Sequence, residues 1–388
     1  MPVNYLELQP QITAMGAETN LRQAELEARL KQCRSLLDQH NDDLIGLQRM
    51  VEEAVAQKKI LRCAAPVNEP LKTHVPCHLP ASPCTILAAD GSQIIPSAHE
   101  SVLFGLINVG VFRIQPGSGN VPSEITNSTL LYGDDLYVND QPPSEDLIGL
   151  LRDVRERQLL AQLAQQEPWP VIALTDGQLE LYHQPRNQES YKDKFKDYLK
   201  ALDDLAVSEV ITAGYVSRPR ADLVVNMLSL LAGAEPAATE ARPFAGISDI
   251  TLLGSILQPG ERSAIFRLQS SSSAEYSGKK ALHFFYLNVG TASMPAYARV
   301  EMPLWVVEEP ESVNLLHSVL VEQARQAGSV PYPYPLIRAH EIAVVRMDER
   351  QQLTAMIERE LLKRGVDVKR QSEKQFHKGH RARTRRSR

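Results

Sequence analysis

The stretch 85-TILAADGSQIIP-96 sets a carboxylate directly behind a run that reads as a buried strand. Ile86, Leu87, Ala88 and Ala89 end in Asp90-Gly91-Ser92. The same device returns in 171-VIALTDGQLELY-182, where Asp176-Gly177 closes a second apolar run. Short apolar runs bounded by turn residues predict buried strands. Asp-Gly is also a common turn dipeptide, so each acid taken alone marks no more than a turn. What surrounds the two acids decides between a turn and a site.

Between them the chain reads as strand, strand, strand, helix, strand. After residues 85–91 come VLFGLINVGVFRI (102–114), the turn QPGSG, and STLLYGDDLYV (128–138). SEDLIGLLRDVRERQLLAQLAQQ (144–166) predicts a helix with Ser144 as N-cap and acids in its first turn. Three antiparallel strands, a helix and a parallel strand form the opening of the ribonuclease-H-like fold. The expected class is therefore α/β, a mixed sheet flanked by helices. In that fold the ends of the first and fourth strands converge with the first helix. The helix offers Glu145, Asp146, Asp153 and Glu156 to join Asp90 and Asp176. Two like charges about 4 Å apart repel by roughly 1 to 4 kcal/mol. A cluster of carboxylates therefore calls for divalent cations, and oxygen donors suit Mg2+ or Mn2+.

Further along, residues 191–207 predict an amphipathic helix, followed by the strand EVITAGYV and a helix in RPRADLVVNMLSLLAGA. ISDITLLGSIL reads as helical, whereas SAIFRLQ, ALHFFYLNVG and ARVEMPLWVV read as strands. ESVNLLHSVLVEQARQAG is a helix, and one long helix is expected after the prolines of PYPYP.

Charge and composition bound the rest. The 388 residues carry a net charge of −5, with 43% hydrophobic and 23% charged residues. Residues 369–388 hold nine Lys or Arg and one Glu, a local +8, which leaves −13 on the other 368 residues. A basic end on an acidic body suits either a polyanion partner or a solvated, disordered tail. With no apolar run of 18 residues, no membrane span is expected, and the N-terminus lacks the pattern of a secretory signal. Four irregularly spaced cysteines agree with reduced thiols in a cytoplasmic protein. His74, Cys77, His78 and Cys84 lie close together, but their spacing fits none of the common zinc patterns. The chain holds no G-x-x-x-x-G-K-[ST] motif for nucleotide hydrolysis.

Residues 17–60 contain no proline, and Leu26, Leu30, Cys33, Leu37, His40, Leu44, Leu47, Val51 and Ala54 alternate at spacings of four and three. This predicts a coiled-coil-like seam, weakened at His40 and Gly46, that pairs within the chain, with a second copy or with a partner. The expected organisation is a helical extension (1–62), a proline-rich connector (63–84), the ribonuclease-H-like domain (85–365) and a basic tail (366–388).

LAADGSQ, LRDVRERQLLAQL leading into VIALTDGQLEL, and ITAGYVSRPRADLVV together resemble the NurA nucleases of DNA end processing. SDITLLGSILQPGERSAIF, YARVEMPLWV and PYPYPLIRAHEIAVV extend the likeness to about residue 355. The resemblance implies that Asp90, Glu156 and Asp176 bind metal, with His340 as a further ligand or proton-transfer group. A lone histidine can equally be a helix residue with a satisfied ring. The resemblance also implies two Mn2+ or Mg2+ ions, 5′-3′ exonuclease and single-strand endonuclease action, homodimers, and a HerA-type hexameric ATPase as partner. Gln178 and Arg218 depart from the residues usual at those positions. Tyr215, Arg218 and Tyr286 are weaker candidates for DNA contact, and Arg383, Arg385 and Arg386 represent the basic tail. The alternative is a nuclease-like adaptor that binds DNA or the ATPase without cutting.

Overall fold

A computed structural model describes residues 3–57, 62–79, 81–97, 101–136, 144–181, 189–233, 242–328 and 330–366. In chain order the elements are α1 (Tyr5–Gln39), α2 (Leu44–Ala56), β1 (Cys63–Pro66), β2 (His74–Pro76), β3 (Thr85–Ile94), β4 (Gly105–Ile114) and β5 (Ser123–Leu131). Next come α3 (Glu145–Ala164), β6 (Val171–Asp176), α4 (Glu189–Val207), β7 (Ile211–Ser217), α5 (Leu223–Leu231) and α6 (Asp249–Leu253). The chain then forms β8 (Glu261–Ser263), β9 (Phe266–Gln269), β10 (Leu282–Asn288), β11 (Tyr297–Pro303) and α7 (Leu304–Val307). It finishes with α8 (Pro310–Gln326), α9 (Tyr334–Ala343) and α10 (Met347–Lys363). Two compact units share the chain: Met1–Ser82, Gly177–Tyr182 and Ala213–Pro333 in one, and Pro83–Asp176, His183–Thr212 and Tyr334–Arg388 in the other.

The second unit is the ribonuclease-H-like α/β core. β3 pairs antiparallel with β4, β4 antiparallel with β5, and β6 lies parallel to β3. The interior strands β3 and β6 are buried from Thr85 to Ala89 and from Val171 to Thr175. Such continuous apolar runs suit strands covered on both faces. β5 begins at Ser123, five residues before the expected start. Its SEITN segment is polar and largely exposed, so no apolar alternation announces it. Ser144 caps α3 as expected, its hydroxyl accepting the N–H of Leu147 at 3.2 Å.

In the first unit β7, β11, β10, β9 and β1 pair antiparallel in that order, with β2 on β8 and β8 on β10. Three expectations need correction here. The proline-rich connector supplies β1 and β2, and β1 is fully buried; its Cys-Ala-Ala-Pro run is too short to read as a strand. Within ARVEMPLWVV the strand stops at Pro303, and Leu304–Val307 turn into α7. The N-terminal seam is not one helix either. It breaks at His40–Asp43, where the Asp43 carboxylate accepts the N–H of Gly46 at 3.1 Å and caps α2.

The seam packs within the chain. Cys33, Leu37, Leu47, Val51 and Ala54 are buried, α1 against α5 and α6 and α2 against α5 and β1. Of the three pairings the heptads allowed, the structure gives these residues the intrachain one. In the other unit the single C-terminal helix is also two, α9 and α10, with a break at 344–346. The basic tail, including Arg383, Arg385 and Arg386, lies outside the described residues.

Asp249 shows how the first unit handles a buried acid. It accepts the N–H of Val225 at 3.0 Å and the hydroxyl of Tyr286 at 2.5 Å. Burial pushes its carboxyl up to about 6, against the pull of those hydrogen bonds. Between the unfolded pKa and about 6, the folded protein therefore holds the extra proton. This group's stabilisation is complete below that window and is lost as pH rises through it. Denaturant titrations from pH 4 to 7 should show that slope, worth on the order of 3 kcal/mol, and Asp249→Asn should flatten it. Parallel pH profiles for the two proteins would remove Asp249 as its source.

Candidate active site

All four acid and histidine candidates belong to the second unit. The structure changes the meaning of Asp90-Gly91. β3 does not end there but runs on to Ile94, with Asp90 opposite Gly110 of β4 and Gly91 opposite Val109. Only the parallel pairing stops, its last pair being Ala89 and Thr175. Asp90 and Asp176 are the next residue on each of two neighbouring parallel strands, which run about 4.8 Å apart. β6 does end at Asp176, and Gly177 takes φ +93°, a conformation that favours glycine.

Gly91 serves close approach rather than a turn. A Cβ there would sit 2.5 Å from Arg152 Cγ and 2.7 Å from Glu156 Oε1, so α3 lies tight against this point of β3. Gly110 does the same for α9, since a Cβ would come within 2.6 Å of the Ala343 nitrogen and 2.8 Å of the Ala339 oxygen. The α9 terminus is pinned as well. The Ala343 carbonyl accepts Ser92 Oγ at 2.5 Å and Asn108 Nδ2 at 2.8 Å, which occupies the helix end and accounts for the break before α10. This packing brings His340 Nδ1 to 2.6 Å from Asp90 Oδ2. Gly110→Ala should push α9 off β4 and separate that pair, lowering turnover at least tenfold. A Gly110→Ala protein that cuts normally would show that the close approach is dispensable.

The ring of His340 is exposed and Asp90 is largely covered, with side-chain exposures of 64% and 18%. In the neutral ring Nδ1 carries the hydrogen that Asp90 accepts, leaving Nε2 as the basic nitrogen. Glu156 is buried beside Gly91, Oε2 taking Arg157 Nη1 at 2.6 Å and Oε1 lying 3.4 Å from Arg152 Nε. Burial pushes its carboxyl up to about 8. The arginines oppose that shift, while Asp153 and Asp90 add to it. Asp153 instead faces Arg152, at 2.9 Å. Asp176 is exposed at the strand end. Glu156→Gln should therefore damage activity far more than Asp153→Asn. The reverse order in matched cleavage assays would move the helical acid to Asp153.

Asp90 and His340 are thus in contact where α9 packs on β3, Glu156 lies on α3 against the next position, Gly91, and Asp176 ends the neighbouring strand. Among the described residues no three or more His, Cys, Asp or Glu side chains are arranged as a ready metal shell. That includes the group of His74, Cys77, His78 and Cys84; His74 pairs with Glu261 at 3.3 Å. Two candidates for DNA contact are corrected. Tyr215 is buried edge-on against Tyr332, and Tyr286 is buried with its hydroxyl on Asp249, so neither ring is open to a base. Arg218 is exposed, in the left-handed region at φ +48°.

Arg157 is a further buried charge on α3, beside Glu156. On α3 the buried residues Leu147, Leu150, Val154, Arg157, Ala161 and Ala164 recur at spacings of three and four. An arginine inside an apolar stripe was the available signal.

A mixed sheet of this order, with acids at adjacent strands and on the helix packed across them, defines an α/β protein of the ribonuclease-H-like class. The NurA domain family matches residues 84–345. The chain belongs to the NurA family. Among solved structures it is similar to the NurA nuclease from Sulfolobus solfataricus, at 14% identity over 89% of this chain and 97% of that one, with a TM-score of 0.47. The catalytic domain of human Endonuclease V aligns at 14% identity over 81% and 98%, with a TM-score of 0.34. Drosophila Piwi aligns at 12% over 69% of this chain and 30% of its own, with a TM-score of 0.27. No curated protein matches the sequence.

Proposed function

We propose that the chain is a metal-dependent DNA nuclease acting on DNA ends and single strands in double-strand-break processing. The observation that carries this reading is the placement of His340 against Asp90 and of Glu156 against the next residue of β3, Gly91, with Asp176 on the adjoining strand end. Membership of the NurA family supports it.

The donor set fits a hard divalent cation. Carboxylate oxygens and an imidazole nitrogen suit Mn2+ or Mg2+. Burial disfavours the charged form of Glu156 and its arginine neighbours favour it, so a bound cation would add to the arginines' pull. Asp90, Glu156 and Asp176 would hold the metal, with His340 as a further ligand or as the proton-transfer group. Two such ions, when bound, would supply activation of water and neutralisation of charge at the leaving oxygen. The chain's own residues do the rest. Asp90 orients the His340 ring through Nδ1, so that Nε2 can take or return a proton at the phosphodiester. The tight packing at Gly91 and Gly110 fixes the spacing between β3, α3 and α9.

Arg218, exposed after β7, would meet phosphate oxygens, and the basic tail would add salt-sensitive, sequence-independent attraction to DNA. With no nucleotide-hydrolysis motif of its own, the nuclease would take its translocation from a HerA-type hexameric ATPase, docking as a homodimer. The test is digestion of end-labelled single- and double-stranded DNA by the purified full chain with Mn2+, Mg2+ or EDTA. Shortening from 5′ ends that stops in EDTA is expected. Tight DNA binding without cleavage under every metal condition would replace the reading with a non-cutting adaptor.

A further inference from the structure

We propose that Arg157 is a positioning residue for the metal site, holding the helical carboxylate in register with the strand that carries Asp176. The inference rests on the reading of Asp90, Glu156 and Asp176 as metal ligands. Its observations are independent of that reading. Arg157 is 2% exposed. Its fork spans two elements: Nη1 donates to Glu156 Oε2 at 2.6 Å, and Nη2 donates to Thr175 Oγ1 at 3.1 Å. Thr175, itself buried, is paired with Ala89 in the last parallel step of β3 and β6, and each of these two residues is followed by an acid. Arg157 therefore ties Glu156 to the residue that immediately precedes Asp176, in the strand pair that immediately precedes both acids.

Stability alone does not account for a guanidinium here. Residue 157 lies in the apolar stripe of α3, where a hydrophobic side chain would pack against β6 without the desolvation cost of a charge. Nε of the same group has no hydrogen-bond partner among the described residues, so the burial is not even fully compensated. What the fork gains is geometry. A planar guanidinium aims two N–H donors at two fixed acceptors, which the single ammonium of lysine cannot reproduce. The Tyr198 side chain on α4 adds a hydrogen bond to the guanidinium, and its ring lies 5.4 Å from Cζ in a cation–π contact.

The test measures Mn2+ binding to the metal-free full chain by the loss of the free-ion electron paramagnetic resonance signal, alongside the melting temperature without metal. Thr175→Val keeps the shape of the side chain and the Arg157–Glu156 pair but removes the strand acceptor. Thr175→Ser restores the acceptor. Arg157→Lys keeps the charge and loses the fork. Thr175→Val and Arg157→Lys should each weaken Mn2+ binding by roughly ten- to a hundredfold, the range for partners that orient a ligand. Thr175→Ser should bind as the unaltered protein does, and Thr175→Val should melt within a few degrees of it. If Arg157→Lys does not fold, Thr175→Val decides alone. Unchanged Mn2+ affinity in Thr175→Val overturns the positioning role while leaving the metal site standing. Absence of Mn2+ binding by the unaltered chain overturns both.

Discussion

Asp90→Ala and Asp176→Ala should each reduce cleavage of end-labelled DNA by more than a hundredfold while leaving the fold intact. Loss of an outer partner to a metal ligand already reaches about that size, so loss of a ligand should exceed it. Asp176 is exposed at the end of β6, and the polar contacts of Asp90 are to His340 and to its own neighbour Gly91. Binding of DNA should persist and can tighten, since a carboxylate that repels phosphate is gone. Circular dichroism and gel-shift titration establish that the protein is folded and binds. A folded Asp90→Ala protein that cuts at the normal rate would move the chemistry elsewhere.

Glu301→Ala should have the largest effect on stability. Residues 177–181 follow Asp176 in the chain and are anchored in the first unit. Gly177 donates to the Tyr215 carbonyl at 2.9 Å, and Leu181 donates to the Tyr276 hydroxyl at 2.9 Å. Glu301, 0% exposed, accepts the N–H groups of Leu179 at 2.8 Å and Glu180 at 3.3 Å through Oε2. Its Oε1 takes the Arg299 guanidinium at 3.0 and 2.7 Å. Removing it strands two backbone donors and takes from the buried Arg299 its closest carboxylate, leaving Tyr286 and Asp249, a loss of about 3 kcal/mol. Melting should fall on the order of ten degrees. Glu301→Gln should lose less, because one acceptor oxygen remains. A Glu301→Ala protein that melts normally would mean the segment is held by its other contacts.

The core was legible because its signals are local. Apolar runs at 86–89 and 171–174, with a capped helix between them, left few topologies open, and the order of elements pointed to the class. The acids were legible as types at positions. Their environment was not. That β3 runs past Asp90 depends on β4 pairing onward to Ile94 after β6 has stopped, which no window of sequence reveals. Glycines 91 and 110 read as turn or strand-weakening residues, yet they are contact points where α3 and α9 press on the sheet. The seam at 26–54 carried a true helical period. It packs on β1 just beyond it and on α5 and α6 far along the chain, and heptads specify a facing surface without saying whose it is. Arg157 was hidden for a different reason: beside Arg152 and Arg155 it looked like one of a row of exposed arginines, and only the stripe of Val154 and Ala161 places it inside.

The central claim is that Asp90, Glu156 and Asp176 make one divalent-cation site. The direct measurement is a calorimetric titration of Mn2+ into the full chain and into the Asp90→Ala, Asp176→Ala double variant, both stripped of metal. The account predicts saturable binding in the first and none above background in the second, with both proteins equally folded. Equal Mn2+ binding by the two would contradict it.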